Sequence, residues 1–256
     1  MILKDFHIHT TFCDGKNSPE EMVLKAIELK MQELGFSAHS YTFFDESYCM
    51  QNKNIQKYKD EILSLKEKYK DKIKIYCGIE MDFFSDMDTS DFDYTIGSVH
   101  YLKVNDKYYT VDSCKEKFVN LVNECYNGDF YACVEDYFDT VSKVAEKLNP
   151  KIIGHFDLIT KYNEGYKLFD EKNPRYVSSY KKAIDKLVKY NIPFEINMGG
   201  MSKGYKTHAY PSYDILKYIF EKGGKVVLSS DAHTKDALLY KFDEYEKIAN
   251  QIGFEL

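Results

Sequence analysis

The chain has 256 residues, of which 44% are hydrophobic and 30% charged, and its formal net charge is −6 at pH 7. This length and composition fit one large α/β domain or two small ones, and the acidic balance disfavours long nucleic acid because its phosphates would be repelled. The sequence contains no apolar run as long as a membrane span, and its six cysteines form no C-x-x-C pair, which favours reduced thiols in a cytoplasmic protein.

Seven short apolar runs of strand length follow one another along the chain. Helical periodicity fills most of the segments between them, and strands that alternate with helices form parallel sheets. We therefore predict a single α/β domain over residues 1–256, with about seven β-then-α units arranged as a barrel. The predicted strands are Met1–Ile8, Leu34–Ala38, Ile73–Ile79, Asp93–Val99, Ile152–Phe156, Ile192–Ile196 and Lys225–Ser229.

The clearest helix start in the sequence is Ser18-Pro19-Glu20-Glu21. Ser18 is suited to cap the helix, Pro19 to occupy its first turn and Glu21 to complete a capping box. Further along, the segment Val111–Leu148 predicts two helices with no strand between them.

Polar residues occupy the C-terminal end of almost every predicted strand, where enzymes built on parallel barrels place their active sites. Six of the seven histidines lie at these ends, and only His208 lies elsewhere. Imidazoles and carboxylates that converge on one point are suited to zinc, iron or manganese. The strand-end residues are His7, His9, His39, Glu80, His100, His155, Glu195, Asn197, Asp231 and His233.

This pattern resembles the PHP family, which is named for polymerase and histidinol phosphatase. The resemblance covers almost the whole chain and keeps the order of the family motifs. It implies a distorted seven-stranded (β/α)7 TIM-like barrel with its active site at the C-terminal strand ends. The motifs are H-x-H-T-x-x-C-D-G at His7–Gly15, the strand end at His39, G-x-E at Gly78–Glu80, S-V-H at Ser98–His100, G-H-x-D at Gly154–Asp157 and S-D-A-H at Ser230–His233.

The resemblance also implies three divalent metal ions and leaves open whether they are zinc, iron or manganese. It implies that a hydroxide between the first two ions, held by His7, His9, Glu80 and Asp231, is the nucleophile. The ligands that it implies are His7, His9, Glu80 and Asp231 for the first ion, Glu80, His100 and His155 for the second, and Asp14, His39 and His233 for the third.

Within the family, Glu195-Ile196-Asn197 and Tyr210-Pro211-Ser212 are similar to elements of the monofunctional histidinol-phosphatases. This similarity implies a cytoplasmic phosphomonoesterase that hydrolyses L-histidinol phosphate in histidine biosynthesis. One position departs from the pattern, because Ser202 stands where those enzymes carry an arginine. Lys203 or Arg175 is a candidate to replace its charge.

Five residues are weaker candidates for substrate binding, and each has a simpler alternative. Lys161 and Arg175, the sole arginine, are suited to phosphate, but either is equally explained as a surface residue. Asp157 either orients a ligand or the substrate amine, or caps a helix. Asn197 and Lys203 complete the set.

Two further carboxylates lie on predicted strands, and we assign neither of them to the substrate. Glu195 is interpreted as a polar residue of the barrel interior. Asp5 either supports a metal ligand from behind or is a solvated strand residue, and we favour the second interpretation.

Two other functions remain open on the sequence. One is a PHP phosphoesterase that acts on another small phosphoester, such as a nucleotide or a short oligonucleotide, and the other is a metal-loaded domain without turnover. The sequence does not identify the proton donor to the leaving group or the oligomeric state. It also leaves open whether the segment Tyr41–Asn54 is a lid or plain surface.

Overall fold

The computed structural model describes residues 3–256 and contains a barrel-like sheet of parallel strands. The strands are β1 (Lys4–Asp5), β2 (Glu33–His39), β3 (Lys74–Asp82), β4 (Tyr94–Ser98), β5 (Tyr101–Val104), β6 (Lys107–Thr110), β7 (Ile152–Ile153), β8 (Phe194–Asn197) and β9 (Val226–Ser229). Over these residues, seven strands pair in parallel in the order β1-β2-β3-β4-β7-β8-β9, and β5 and β6 form a separate antiparallel pair. The predicted α/β barrel of seven parallel strands is confirmed. Residues 1–2 of the first predicted strand lie outside the described part of the chain.

Helices follow most of the strands. Within residues 3–256 they are α1 (Pro19–Glu28), α2 (Ile55–Tyr69), α3 (Lys115–Tyr126), α4 (Phe130–Val141), α5 (Val144–Leu148), α6 (Asn163–Tyr166), α7 (Pro174–Leu187), α8 (Gly199–Ser202), α9 (Tyr213–Glu221) and α10 (Phe242–Ile252). The predicted capping box of α1 is present, because the backbone N–H of Ser18 donates to Glu21 over 2.9 Å and Glu21 N–H donates to the Ser18 hydroxyl. In the described chain, no helix is both long enough and apolar enough to cross a bilayer.

The barrel closes where the chain following β1 meets the chain following β9. The backbone N–H of His9 donates to the carbonyl of Ala232 over 2.9 Å, and Ala232 N–H donates to the carbonyl of His7 over 3.1 Å. Asp5 supports this seam, since its carboxylate accepts hydrogen bonds from the backbone N–H and the hydroxyl of Ser230. The interpretation of Asp5 as a solvated residue is therefore wrong: the residue is fully buried because the closing seam covers it.

An antiparallel hairpin, β5–β6, follows β4 on the side of the barrel mouth. None of the predicted strands or helices covers these residues. Asn105 and Asp106 form its two-residue turn, and both have positive φ values, 49° and 59°, as a type I′ turn requires. The hairpin returns the chain to its starting point beside His100, since Val111 N–H donates to the carbonyl of His100 over 2.9 Å.

Candidate metal centre

The nine predicted ligands surround one cavity at the C-terminal ends of the parallel strands. The register of the sheet explains this, since His39 at the end of β2 lies directly beside Glu80 near the end of β3. The cavity encloses about 220 Å³, which suits a small molecule. Seven of the predicted ligands line it, namely Asp14, His39, Glu80, His100, His155, Asp231 and His233, and His7 and His9 are fully buried beside them.

Glu80 is the central carboxylate of this group. It is buried, and both of its oxygens face histidine nitrogens. The distances to Oε1 are 2.9 Å from His155 Nε2 and 3.3 Å from His100 Nε2, and those to Oε2 are 2.8 Å from His39 Nδ1, 3.2 Å from His7 Nε2 and 3.5 Å from His9 Nε2. A carboxylate in this position can contact two cations at once.

Three buried atoms indicate that this centre fits metal ions. Although histidine nitrogens and carboxylate oxygens lie near them, His7 Nε2, His9 Nε2 and Glu80 Oε2 make no hydrogen bond of suitable geometry within the described residues, and an unpaired buried polar atom is costly. The two ring nitrogens lie 3.2 Å and 3.5 Å from Glu80 Oε2, close to the roughly 3.3 Å that separates neighbouring atoms bound tetrahedrally to one ion. Imidazole and carboxylate donors at this spacing satisfy the requirements of a divalent ion.

The candidate ligand atoms fall into four overlapping groups, and within each group the atoms lie within 4.8 Å of one another. Sharing of Glu80, His7, His9 and His39 joins the groups into one polynuclear arrangement. The groups are His9, Asp14, His39 and His233; His7, Glu80 and His155; His7, His9 and Asp231; and His39, Glu80 and His100.

The charges around the centre favour cation binding. Burial, together with the neighbouring rings of His233 and His39, holds the pKa of His9 well below its usual range, so its ring is neutral and offers a lone pair. Burial alone would raise the pKa of Asp231, but Lys203 and the neighbouring histidines hold it well below its usual range. His9 therefore offers a neutral imidazole beside the ionised carboxylate of Asp231, and divalent metals bind both donor types. Although burial alone would lower them, the charges of Glu195 and Glu80 beside His7, and of Glu80 beside His100, hold the pKa values of these two rings well above the usual range, so each ring loses a proton when a metal ion binds.

A sequence model of the PHP domain matches residues 5–199, which is most of the chain. The chain belongs to the PHP family. The first resemblance drawn from the sequence is thereby confirmed, and the PHP family motifs coincide with the residues around the cavity.

Curated relatives and solved structures of the PHP family match along most of the chain. A relative in Schizosaccharomyces pombe, named "Probable histidinol-phosphatase", is 28% identical over 89% of this chain and 79% of its own length. The histidinol-phosphatase of Bacillus subtilis is 25% identical over 96% of this chain and 98% of its own length. The histidinol phosphate phosphatase of Lactococcus lactis, solved with zinc, L-histidinol and phosphate, has the same fold, with a TM-score of 0.72 and 22% identity over 99% of this chain and 95% of that structure.

Behind the metal centre of this PHP protein lies a fully buried carboxylate, Glu195. It lies 2.6 Å from His7 Nδ1 and accepts hydrogen bonds from Ser229 Oγ over 2.6 Å and from the backbone N–H of His155 over 3.0 Å. Asn197 donates its side-chain N–H to the same carboxylate over 3.0 Å. Glu195 therefore fixes the His7 ring with Nδ1 as the donor and leaves Nε2 free to face Glu80.

We expect Glu195→Gln to weaken metal binding roughly 10- to 100-fold, because an amide no longer orients His7 or raises the basicity of its ring. Competition with a fluorescent chelator measures this affinity. Glu164→Gln, which alters an acid that pairs with His208 away from the cavity, is the control and should leave it unchanged. An unaltered affinity in Glu195→Gln would show that the carboxylate has only a packing role.

The five weaker candidates for substrate binding occupy three different environments. Lys161 and Lys203 line the cavity. Arg175 does not: its guanidinium donates to Glu135 and to Asp129 at the surface, and these ion pairs account for the residue.

The other two weak candidates are fully buried and do not line the cavity. Asp157 starts a short helix without capping it, and its carboxylate accepts the backbone N–H of Ser212 over 3.1 Å. Asn197 accepts the backbone N–H of Gly199 over 2.9 Å as well as donating to Glu195. Both residues thus connect the loops that carry the site.

One wall of the cavity contains residues that were not predicted from the sequence. Asp45 and Tyr48 from the segment after β2, and Tyr101 and Asp112 from the hairpin and the loop after it, line the cavity beside the metal centre. Tyr48 packs edge-on against His39 with ring centroids 4.9 Å apart. The segment Tyr41–Asn54 thus contributes side chains to the site. The Asn105-Asp106 turn was the available signal for the hairpin.

Proposed function

We propose that the protein is a metal-dependent phosphomonoesterase that hydrolyses L-histidinol phosphate to L-histidinol and phosphate. The observation that carries the proposal is the convergence of six histidines and three carboxylates on one small cavity around Glu80. The names of the curated relatives support the substrate, as do the L-histidinol and phosphate held by the Lactococcus lactis structure.

We assign three divalent ions to the centre, with the ligand sets that the family resemblance implies. The groups of ligand atoms agree with this assignment for the third ion, whose ligands Asp14, His39 and His233 fall in one group, and in part for the first, since His7, His9 and Asp231 form another. The ligands His100 and His155 of the second ion fall in separate groups, but both lie within 3.3 Å of Glu80 Oε1. Bound divalent ions supply a water of lowered pKa as nucleophile and neutralise the charge of the phosphoryl group. The zinc of the Lactococcus lactis relative makes zinc the first metal to test.

Lys203 is the cation that we assign to the phosphate. Its Nζ lies 3.6 Å from Asp231 Oδ1 and 3.5 Å from His233 Nε2, so it borders the metal centre from the open side. Ser202, at the position where related enzymes carry an arginine, donates its hydroxyl to the carbonyl of Gly199 over 3.2 Å. The next residue along the chain thus supplies the positive charge that Ser202 lacks.

We expect Lys203→Gln to lower kcat/KM for phosphate release roughly 10- to 100-fold, the size expected for one hydrogen bond to a charged group. Metal content, measured by mass spectrometry, should stay at the wild-type value, because Lys203 holds no metal. Arg175→Gln is the matched control and should leave kcat/KM unchanged. An effect of equal size in both variants would contradict the assignment of Lys203 to phosphate binding.

The direct test of function is phosphate release from L-histidinol phosphate by protein reconstituted with zinc, manganese or iron, with p-nitrophenyl phosphate as the comparison. We expect a strong preference for L-histidinol phosphate, lost in His9→Ala and in Asp231→Ala. Turnover of p-nitrophenyl phosphate alone would support phosphatase activity but contradict L-histidinol phosphate as the substrate. Metal binding without turnover of any phosphoester would instead identify a domain that binds metal without catalysis.

The proposed location is the cytoplasm, where a biosynthetic phosphatase meets its substrate. The six cysteines support it, since all of them lie within the described residues and are free thiols, the usual state in a reducing compartment.

A further inference from the structure

The cavity has a polar wall that takes no part in holding metal. We call it the hairpin wall; it consists of Asp45, Tyr48, Tyr101, Asp112 and Lys161, all of which line the cavity. The set contains two carboxylates and one ammonium group, so the wall carries a net negative charge. The metal centre and Lys203, by contrast, are suited to the phosphate. The two ends of the cavity therefore differ in the sign of the charge that they attract.

Asp45 is the carboxylate of this wall whose hydrogen-bonding capacity is already used. Tyr101 donates its hydroxyl to Oδ2 over 2.7 Å. Ser47 donates both its hydroxyl, over 2.6 Å, and its backbone N–H, over 3.0 Å, to Oδ1. These bonds fasten the segment after β2 to the hairpin and leave Asp45 little capacity to bind a ligand directly.

Asp112 is the carboxylate that keeps free capacity. Its backbone is fixed, since the carbonyl accepts hydrogen bonds from Lys161 Nζ and from the hydroxyl of Tyr162, each over 2.7 Å. Its side chain accepts only long bonds, 3.2 Å from Lys161 Nζ and 3.3 Å from the Thr110 hydroxyl. A carboxylate has about four acceptor positions, and the Asp112 side chain is 21% exposed toward the cavity that it lines. It is therefore preorganised to accept hydrogen bonds from a ligand.

We infer that Asp112 binds a positively charged amine on the alcohol half of the phosphoester and makes the enzyme selective for phosphomonoesters that carry an ammonium group. This inference rests on the proposed function and names the feature that the site selects. With the phosphate at the metal centre, the alcohol half extends along the hairpin wall, where the rings of Tyr48 and Tyr101 add faces that attract cations. A neutral ester leaves Asp112 without a new partner and gains nothing from this wall.

The test compares two pairs of esters that differ only in the charged group. The first pair is L-histidinol phosphate and its analogue lacking the amine, 3-(imidazol-4-yl)propyl phosphate. The second pair is O-phosphoethanolamine and propyl phosphate. We would measure kcat and KM for all four with the zinc-loaded wild-type protein, with Asp112→Asn and with Asp106→Asn. Asp106, at the hairpin turn, has a side chain that is 94% exposed, so Asp106→Asn removes the same charge from the same hairpin away from the cavity.

We expect the wild-type protein to prefer the ammonium-bearing member of each pair by roughly 10- to 100-fold in kcat/KM, as for one charged hydrogen bond. Asp112→Asn should abolish that preference through KM, while leaving the ester without the amine within about threefold of wild type. Asp106→Asn should keep the preference. L-Histidinol binding by calorimetry should weaken only in Asp112→Asn.

Two results would overturn the inference. An equal loss on both members of a pair in Asp112→Asn would show that the residue acts only by holding Lys161. No ammonium preference in the wild-type protein would remove the selectivity altogether.

The failure of the proposed function gives a different pattern. If L-histidinol phosphate is not hydrolysed but O-phosphoethanolamine is preferred over propyl phosphate in an Asp112-dependent manner, the substrate is wrong and the amine-binding role of Asp112 stands.

Discussion

Glu80→Gln is expected to lower kcat for phosphate release by about 10³-fold or more and to reduce the bound metal per chain. The substitution keeps the size of the side chain but removes the negative charge that faces five histidines. Each divalent ion contributes several kcal/mol of charge stabilisation to phosphoryl transfer, and about 1.4 kcal/mol corresponds to a tenfold change in rate. Because Glu80 belongs to two of the four groups of candidate ligands and contacts histidines from all four, its charge supports more than one ion.

The matched control is Glu33→Gln. Glu33 is the first residue of β2, at the opposite end of the strand from His39, and it accepts a hydrogen bond from the Tyr76 hydroxyl over 2.9 Å. It should keep both kcat and metal content at wild-type values. Mass spectrometry of the purified proteins gives the metal content, and phosphate release gives kcat. Wild-type metal content with normal turnover in Glu80→Gln would refute the central role of this carboxylate.

Most of the candidate ligand positions were predictable from the sequence because each lies at the end of its own strand, whereas Asp14, in the loop before α1, followed only from the family resemblance. His7 and His9 follow an apolar run at a spacing of two, which directs both side chains to one face of an extended chain. Glu80 and His155 likewise end apolar runs. Parallel strands then bring all of these ends to one mouth, so local pattern and topology together place the ligands without knowledge of any long-range contact.

The hairpin wall was not predictable in the same way. Lys161 was a candidate on the sequence, but Tyr101 and Asp112 come from a short hairpin and the loop after it. The turn of this hairpin, Asn105-Asp106, lacks the glycine that usually marks such turns. Tyr101 and Asp112 are ordinary in sequence, and they line the cavity only because the hairpin folds back over the barrel mouth.

The buried carboxylates show a second reason why prediction stopped short. Asp5 and Glu195 stand on strands next to histidine ligands, and a sequence gives no direct measure of how deeply such a carboxylate is buried. In the structure each is fully buried and fully used, Asp5 by Ser230 at the closing seam and Glu195 by His7 and Ser229. Arg175 is the opposite case, since its acidic partners on α4 and before it became visible only with the fold.

Metal removal is expected to destabilise the protein strongly. The number of bound ions follows from how steeply the free energy of unfolding rises with the concentration of free metal. A ligand that binds only the folded state raises the free energy of unfolding by RT ln(1 + [L]/Kd). Above the dissociation constants, each bound ion therefore adds about 1.4 kcal/mol for every tenfold increase in free metal. Three ions predict a slope of about 4 kcal/mol per tenfold, and two ions about 3 kcal/mol. Urea unfolding in metal buffers of known free zinc measures this slope.

Two histidine variants show whether the slope arises from the metal centre. His233 occurs in only one of the ligand groups, with His9, Asp14 and His39, so His233→Ala should lower the slope by about 1.4 kcal/mol per tenfold. His208 pairs with Glu164 over 3.2 Å outside the cavity, and His208→Ala should leave the slope at the wild-type value. A wild-type slope that matches two ions or fewer, or a slope that His233→Ala does not change, would rule out the third ion, because the stabilisation by each ion requires its own ligands in the folded state.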